Sequence, residues 1–321
     1  MDTDTTPALR EFSARISQHD LSPLWERKAR LVPGSDCVPA VWRYAQMRPL
    51  LARSAELITK KQAERRVLVM ENPSLRGSSF ITHALYAGLQ IIIPGEVAPS
   101  HRHTPSALRF VLEGEGAYTT VAGQRIAMRP GDFVVTPPWA WHDHGNEGAA
   151  PVVWLDGLDT PFAQLFGAHF RENDTQERRG AGADLALAQP LIYSFEETRA
   201  ALCAMAAQDQ LDAAQGFKRR YPGPHSGDAF RTMAAFMQLL PAGFHGTHYR
   251  ATDGGVFSVA QGTCRVELAG QVHELHSRDV FVVPPWEPYR FEADADCLLF
   301  SFSDRAAQEA LGYWREEREA S

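Results

Sequence analysis

The sequence predicts a mainly β chain built from two copies of one β-unit, each folded as a sandwich or a small barrel. From Arg66 onward, short runs rich in Val, Ile and Phe alternate with Gly, Pro and Asn, as in strands joined by tight turns. An internal repeat gives the organisation, because residues 131–139 and 278–286 both end in Pro-Pro-Trp after a hydrophobic run. Ala-Gly-Gln turns precede both runs, at residues 122–124 and 269–271. A duplicated unit explains both matches.

The region before the first β-unit is expected to be helical. Leu9, Phe12 and Ile16 recur at three- and four-residue spacing, and a second helical pattern runs from Tyr44 to about Lys61. We therefore assign residues 1–65 to an N-terminal helical segment and residues 66–160 to the first β-unit.

The second half of the chain is expected to have three parts. Residues 161–227, which include Arg178, Arg179 and Gly180, read as a partly mobile linker with one helix around residues 195–205. Residues 228–303 form the second β-unit. Residues 304–321 have the pattern of an amphipathic C-terminal helix.

Composition excludes several classes of function. The 321 residues carry a formal charge of −7 at pH 7, which argues against a nucleic-acid-binding protein. The N-terminus lacks the basic and apolar segments of a signal peptide, and no apolar run approaches the ~18 residues of a transmembrane helix. The four cysteines form no Cys-x-x-Cys pair and are expected to be free thiols. We expect a cytoplasmic protein that binds neither membranes nor nucleic acids.

Three histidines of the first unit predict a metal site. His101 and His103 are two residues apart, so on a strand both rings point to the same face. His142 follows the Pro-Pro-Trp turn, where the chain re-enters the unit as a new strand. A lone His-x-His pair is often an ordinary surface or core feature, but a same-face histidine on a later strand of the same unit favours three facial ligands.

His144 and the second unit complete this pattern. His144 lies two residues beyond His142 and is a fourth ligand, a hydrogen-bond donor behind the ligands or a catalytic base; we favour a position outside the ligand set. In the second unit, His245 and His248 are three apart and cannot share a strand face, and Tyr289 or Arg290 replaces the third histidine. We therefore expect the second unit to be structural and to hold no metal.

These residues resemble the cupin superfamily. The resemblance implies two double-stranded β-helix (jelly-roll) barrels, a bicupin. The glutamate that usually follows the two histidines is missing, which argues against a three-histidine, one-glutamate site. The superfamily's two motifs are matched, the second only in part, at Gly95, His101, His103, Gly114, Gly131, Pro137 and His142.

More specifically, the first unit is similar to gentisate 1,2-dioxygenase and its relatives acting on salicylate and 1-hydroxy-2-naphthoate. The resemblance implies one Fe(II) per chain and insertion of both atoms of O2 between the carboxyl- and hydroxyl-bearing carbons of a 2-hydroxybenzoate. Gentisate, the expected substrate, gives maleylpyruvate, and the expected assembly is a homotetramer. The similarity is carried by residues 94–103, 107–110, 131–139 and 154–159.

The resemblance also suggests roles for residues around the metal. Arg109 is expected to bind the substrate carboxylate, because a guanidinium can pair with it through two hydrogen bonds. Arg65 is a second carboxylate or lid contact, although strand register does not exclude Arg66. His144 is expected to contact the substrate hydroxyl or oxygen and to transfer a proton. The remaining expectations are that Gln90 contacts the ring or its hydroxyl, that Gly88 shapes the pocket and that Asp156 orients His144 or faces the ring's far side.

Other functions remain compatible with the residues alone. Salicylate and 5-substituted salicylates differ from gentisate at one ring position, and the small residues Ala87 and Gly88 leave space near the ring. A non-catalytic bicupin that binds a small aromatic acid would need the carboxylate contacts but no iron. An isomerase or decarboxylase that uses zinc or manganese would also need the metal site but would not react with dioxygen.

Overall fold

The computed structural model describes residues 6–59, 62, 64–175, 190–223 and 227–319. It divides into two compact units, Met1–Pro33 and Gly34–Ser321. The first contains helix α1 (Pro7–Ser17) and a single 3-10 turn, Leu24–Glu26. Pro7 occupies the first helical turn, and the Thr6 hydroxyl accepts a hydrogen bond from the Leu9 amide at 3.3 Å, so α1 begins with a side-chain cap.

Among the described residues, the other helices and all the strands lie in the larger unit. The second predicted helix is confirmed but ends before Lys61, because Ile58 adopts an extended conformation; Lys60 and Lys61 lie outside the described residues. The helix of the linker is confirmed, and Ser194 caps it by accepting from the Glu197 amide. These helices are α2 (Tyr44–Leu57), α3 (Thr160–Leu165), α4 (Phe195–Ala207) and α5 (Arg305–Ala310).

The first barrel consists of two antiparallel sheets. One has the order β12-β8-β5-β10-β3-β2 and the other the order β11-β4-β9-β6-β7. The strands are β2 (Arg66–Val69), β3 (Tyr86–Ile92), β4 (Val97–His103), β5 (Ala107–Glu113), β6 (Ala117–Val121), β7 (Gln124–Ala127), β8 (Phe133–Thr136), β9 (His142–Asn146), β10 (Val152–Leu158), β11 (Arg171–Asn173) and β12 (Ile192–Tyr193).

The second barrel repeats this arrangement. Its sheets have the orders β1-β20-β17-β22-β14-β13 and β19-β18-β21-β16-β23, and β15 pairs with β21. The strands are β1 (Ala40–Trp42), β13 (Phe217–Arg220), β14 (Ala234–Leu240), β15 (Phe244–His245), β16 (Tyr249–Ala251), β17 (Gly255–Gln261), β18 (Thr263–Leu268), β19 (Gln271–His276), β20 (Val280–Val283), β21 (Tyr289–Ala293), β22 (Cys297–Ser303) and β23 (Glu316–Arg318).

The two segments that follow the barrels are also copies of each other. In each, a short helix ends at a glycine of positive φ, Gly167 (65°) or Gly312 (74°), and a short strand then pairs with the barrel. The helix predicted over residues 304–321 is therefore wrong beyond Ala310, because the chain turns at Gly312 and β23 pairs with β16.

The predicted linker is likewise more than a connection. It supplies β11 and β12 to the first barrel and β13 to the second, while Arg178, Arg179 and Gly180 lie outside the described residues. The N-terminal region, predicted to be helical, also contributes β1 to the second barrel. Each barrel is thus completed by chain from outside its own repeat.

The barrels pack against each other through the sheet that contains β10 and the sheet that contains β22. The Phe110 and Phe300 rings stack there, with centroids 4.2 Å apart and planes 3° apart. This explains why β10 and β22, buried on both faces, are nearly continuous hydrophobic runs. Across the described residues, we find no helix with the length and apolarity needed to cross a membrane.

Candidate metal centre and substrate cavity

Three imidazoles converge inside the first barrel. β4 and β9 are neighbouring antiparallel strands, and His101 lies opposite His142 in their register. His103 is on the same face of β4 as His101, as its two-residue spacing requires. One potential ligand atom from each ring lies within 4.8 Å of the other two, and all three side chains are buried. The ring centroids of His101 and His142 are 4.2 Å apart.

Backbone carbonyls fix the tautomer of each ring. The Nδ1 atom of His101 is 2.9 Å from the Pro99 oxygen, that of His103 is 2.7 Å from the Pro105 oxygen, and that of His142 is 2.9 Å from the Ala140 oxygen. A carbonyl can only accept, so each Nδ1 carries the proton and each Nε2 keeps its lone pair. The Nε2 atom of His142 is buried and has no hydrogen-bond partner among the described residues. The arrangement fits a divalent metal held by three Nε2 atoms.

The same rings are neutral at physiological pH. Burial, reinforced by the positive charge of Arg65, lowers the pKa of His101 to about 3. Burial lowers the pKa of His103 to about 4 and that of His142 well below its ordinary value. Neutral imidazole is the form that binds metal, and no carboxylate of the described residues joins the group. A metal held here would therefore keep its full positive charge toward the cavity.

Arg109 lies beside the triad and is buried inside the barrel. Its Nη1 donates to the Thr136 hydroxyl at 2.6 Å, and its Nη2 is 3.0 Å from Nε2 of His144. A guanidinium only donates, so His144 accepts at Nε2 and carries its proton on Nδ1, which is buried without a partner among the described residues. The ring centroid of His144 is 5.6 Å from that of His142.

Asp156 contacts Arg109 rather than His144. Its Oδ1 atom accepts a hydrogen bond from Trp154 Nε1 at 3.0 Å and lies 3.6 Å from Nε of Arg109. Burial raises the pKa of Asp156 to about 6, although Arg109 and Arg65 oppose the shift. Burial also lowers the pKa of Arg109 to about 10, which leaves it charged at neutral pH. Asp156 thus supplies the counter-charge of a buried cation.

A cavity of about 480 Å³ opens beside the histidines. Arg65 reaches into it and places Nη1 3.1 Å from Nε2 of His101. Arg66 instead points away, toward Glu96, whose two carboxylate oxygens are each 2.7 Å from its Nη1. The structure therefore places Arg65, and not Arg66, in the cavity wall. Other predicted residues that line it are Gln90, His103, Arg109 and Asp156.

Gly88 shapes the cavity indirectly. A Cβ atom at this position would lie 2.6 Å from Cγ1 of Val67 and 2.9 Å from the Tyr86 hydroxyl, and both of those side chains line the cavity. Glycine thus lets Val67 and Tyr86 occupy their places. The expectation that Ala87 leaves space near the ring is wrong, because its side chain points into the hydrophobic core on the other face of β3.

Several residues of the site were not anticipated from the sequence. Thr136 holds Arg109, and Trp154 holds Asp156. At the cavity rim, Arg171 from β11 pairs with Glu64 at 2.6 Å, and His169 lies nearby. The two rim residues 169 and 171 belong to the predicted linker, where nothing in the local sequence indicates a return to the first barrel.

The second barrel has other residues at the equivalent positions. The amide of Trp139 donates to the His103 oxygen at 2.8 Å, as the amide of Trp286 does to the Ala251 oxygen at 2.6 Å. This matches Ala251 to His103 and, by strand position, Tyr249 to His101 and Tyr289 to His142. Phe257 and Ser301 form the cross-strand pair that corresponds to Arg109 and Asp156.

Comparison with known proteins agrees with this architecture. The cupin domain family matches residues 88–157 and 235–302. The chain is 46% identical over 337 residues to gentisate 1,2 dioxygenase 1 of Aquipseudomonas alcaligenes, covering 98% of this chain and 97% of that protein. It is 33% identical to 5-aminosalicylate 1,2-dioxygenase of a Comamonas species, covering 98% of this chain and 90% of the other.

A solved structure is similar over the whole chain. It is that of a salicylate 1,2-dioxygenase variant from Pseudoaminobacter salicylatoxidans in complex with gentisate. The two superpose with a TM-score of 0.91 at 32% identity, and the match covers 100% of this chain and 97% of the other.

Proposed function

This chain belongs to the gentisate 1,2-dioxygenase family of ring-cleaving bicupin dioxygenases, and from that premise we propose that it acts on gentisate. Dioxygen would enter between the carboxyl-bearing and hydroxyl-bearing carbons, and both oxygen atoms would remain in the product, maleylpyruvate. The observation that carries the proposal is the convergence of three Nε2 atoms beside a cavity that also presents two guanidinium groups. This pairs a metal site with an anion site.

Fe(II) is the metal we propose, one per chain, bound by His101, His103 and His142. Bound there, it would supply the redox chemistry that lets an aromatic ring react with dioxygen. The protein contributes three neutral imidazoles whose tautomers are already fixed by carbonyls, so no ring has to lose a proton or reorient.

Arg109 and Arg65 would bind the substrate carboxylate. Both guanidinium groups are held near the imidazoles, and both remain cations in a site from which burial partly excludes water. Charge-assisted hydrogen bonds from guanidinium to carboxylate orient the ring because their geometry is planar. Asp156 would keep Arg109 in position while the carboxylate is absent and would restrain it when the carboxylate is bound.

His144 would accept the substrate's hydroxyl proton at Nε2. In the structure that atom accepts from Arg109, so it becomes free when Arg109 turns to the carboxylate. Burial and the charge of Arg109 lower the pKa of His144 well below its ordinary value, so the ring is neutral and its Nε2 lone pair can accept from the substrate hydroxyl. The protonated ring is disfavoured, so His144 would hold the proton only briefly before returning it. Gln90, buried in the cavity wall, would donate from its amide to a ring substituent.

Oxygen uptake with a substrate panel tests the proposal. The iron-loaded protein is mixed with gentisate, salicylate or 5-aminosalicylate, and dioxygen consumption and ring-opened product are measured. We expect one dioxygen consumed per gentisate, with gentisate giving the highest kcat/KM. Faster turnover of a 5-substituted salicylate would reassign the substrate within the family. Binding of these acids without any oxygen uptake would instead support a non-catalytic bicupin.

Two further properties stay predictions. We propose that the chain assembles as a homotetramer and works in the cytoplasm. Light scattering coupled to size-exclusion chromatography measures the mass, and a value other than four chains would reject the assembly.

A further inference from the structure

We infer that Arg102 is a positioning residue for the metal triad, because its guanidinium ties together the three chain segments that carry or support His101, His103 and His142. The inference rests on the proposed metal site and adds to it a residue that does not face the cavity. Arg102 lies between two ligands in sequence, so its side chain leaves the opposite face of β4.

The first tie joins β4 to the chain that leads into the third ligand. The Arg102 guanidinium carbon lies 4.4 Å from the Trp139 ring centroid and 4.6 Å from that of Trp141. Trp141 immediately precedes His142. Trp139 has a positive φ of 62°, a backbone conformation that non-glycine residues rarely adopt and that surrounding contacts must stabilise. Guanidinium stacking on two indoles fixes where this segment lies relative to β4.

The second tie joins β4 to β11. Glu172 lies directly opposite Arg102 in the strand register and accepts from its Nε at 3.0 Å and its Nη2 at 2.7 Å. The neighbouring pairs in that register are Arg171 with His103 and Asn173 with His101. β11 therefore covers the open edge of the ligand strand, and the Arg102–Glu172 pair holds it there.

The second barrel contains the same arrangement of an arginine, an indole and a glutamate, with one indole contact instead of two. Arg250 lies 4.9 Å from the Trp286 ring centroid and donates to both Glu317 oxygens at 2.7 Å. Trp286 has a φ of 65°, and Arg250 lies opposite Glu317 in the register of β16 and β23. Pro288 stands where the first barrel has Trp141, so the second stacking partner is present only beside the histidine triad.

This repetition supplies a matched control. Arg102→Met and Arg250→Met each remove one partly buried guanidinium from an equivalent strand, together with an ion pair and the contact to the equivalent indole, Trp139 or Trp286. Arg102→Met also removes the contact to Trp141. A merely structural role predicts similar changes in melting temperature and no difference in metal binding. A positioning role predicts that only Arg102→Met weakens the metal site.

The readout is Fe(II) affinity, measured anaerobically by competition with a chromogenic chelator. We expect Arg102→Met to bind Fe(II) about tenfold to a hundredfold more weakly than the wild type, the range seen when groups that orient metal ligands are removed. Arg250→Met should bind Fe(II) like the wild type. The visible spectrum of the Co(II)-loaded protein should also change in Arg102→Met and not in Arg250→Met, because the band positions report ligand geometry.

Trp141→Leu provides a second route if Arg102→Met does not fold. It removes only the stacking partner that the second barrel lacks, and it should weaken Fe(II) binding severalfold. Equal Fe(II) affinity in the wild type and in whichever of the two variants folds would overturn the positioning role while leaving the proposed function intact. Absence of Fe(II) binding by the wild type would instead reject the metal site itself.

Discussion

The two barrels share one backbone plan and differ in the side chains that fill their interiors. The first holds a cavity of about 480 Å³, whereas the equivalent space in the second is about 30 Å³. Phe236 stands opposite Ser301 where the first barrel pairs Gly88 with Asp156, and its ring takes up the space that glycine leaves. Phe257 stacks on Phe281 at 4.9 Å and contacts the Tyr289 ring at 5.8 Å.

The difference shows that a few side chains decide whether this barrel encloses a polar cavity or a filled interior. Tyr249 and Tyr289 at two of the ligand positions and Phe257 at the Arg109 position belong to a packed hydrophobic cluster, which stabilises the fold by burying apolar area. Burying the polar residues at the same positions of the first barrel lowers the stability of the fold. Only the hydrogen bonds that these residues make with each other offset that cost. The predictions below compare equivalent changes in the two barrels.

The largest effect is expected from removing a ligand. His103→Ala leaves two imidazoles, too few to hold Fe(II) in a facial site, so the purified variant should contain almost no iron and show no oxygen uptake. The equivalent region of the second barrel is tested by Tyr289→Phe, which should retain one iron per chain and wild-type turnover. Metal analysis per chain measures both. Stoichiometric iron in His103→Ala would show that the triad is misassigned.

The metal triad was predictable because its information is local. A two-residue spacing on a strand and a Pro-Pro-Trp turn place His101, His103 and His142 on one face without knowledge of the rest of the chain. The choice between Arg65 and Arg66 was not predictable, because it depends on how β2 is aligned with β3 after the long loop between them. Thr136 was missed for the same reason, since its partner Arg109 comes from another strand. Trp154 and Asp156 are two residues apart on β10, so their contact follows from same-face spacing and was overlooked.

The prediction for the C-terminal segment was wrong for a different physical reason. The apolar spacing of residues 304–319 suits a helix, but Gly312 interrupts it and the free edge of β16 offers backbone partners to an extended chain. Tertiary pairing therefore overrides local propensity. The same event, at Gly167, returns the predicted linker to the first barrel as β11, which is why the rim residues His169 and Arg171 could not be anticipated.

The second prediction concerns the buried arginine. If Arg109 binds the substrate carboxylate as proposed, Arg109→Met removes two charge-assisted hydrogen bonds, each worth about 2 kcal/mol, so kcat/KM for gentisate should fall about a thousandfold. The matched change Phe257→Leu alters only packing in the second barrel and should leave kcat/KM within about twofold while lowering stability by ~1 kcal/mol. Steady-state oxygen uptake decides the comparison. A loss below tenfold in Arg109→Met would remove Arg109 from the substrate site.

The third prediction uses the titration of Asp156. Its folded pKa of about 6 lies above the ordinary value of 3.8, so the unfolded chain loses this proton first as the pH rises. Asp156 therefore makes the folded state less stable, by up to about 3 kcal/mol, as the pH increases from 4 to 7. Asp156→Asn cannot titrate, and its place in the second barrel is already held by the uncharged Ser301.

Thermal unfolding of the wild type and Asp156→Asn across this range measures the difference, and other titrating groups cancel in it. The wild type should lose stability relative to Asp156→Asn as the pH rises. A constant difference would show that Arg109 and Arg65 keep the carboxyl at its ordinary pKa.

The smallest effect is expected where the two barrels meet. Phe110 and Phe300 stack between them, so Phe110→Leu and Phe300→Leu should each destabilise the chain by ~1 kcal/mol, with a coupling of about 0.5–1.5 kcal/mol in the double variant. Chemical denaturation of the wild type, the two single variants and the double variant measures this coupling.

The same contact also lies close to the site. Phe110 pairs with Leu155, the residue before Asp156, whose carboxyl group holds Arg109. If the second barrel only supports the first, kcat/KM at 25 °C should stay within about twofold of the wild type. A larger loss in Phe300→Leu, a residue of the second barrel alone, would mean that its packing also sets the geometry of the Arg109 site.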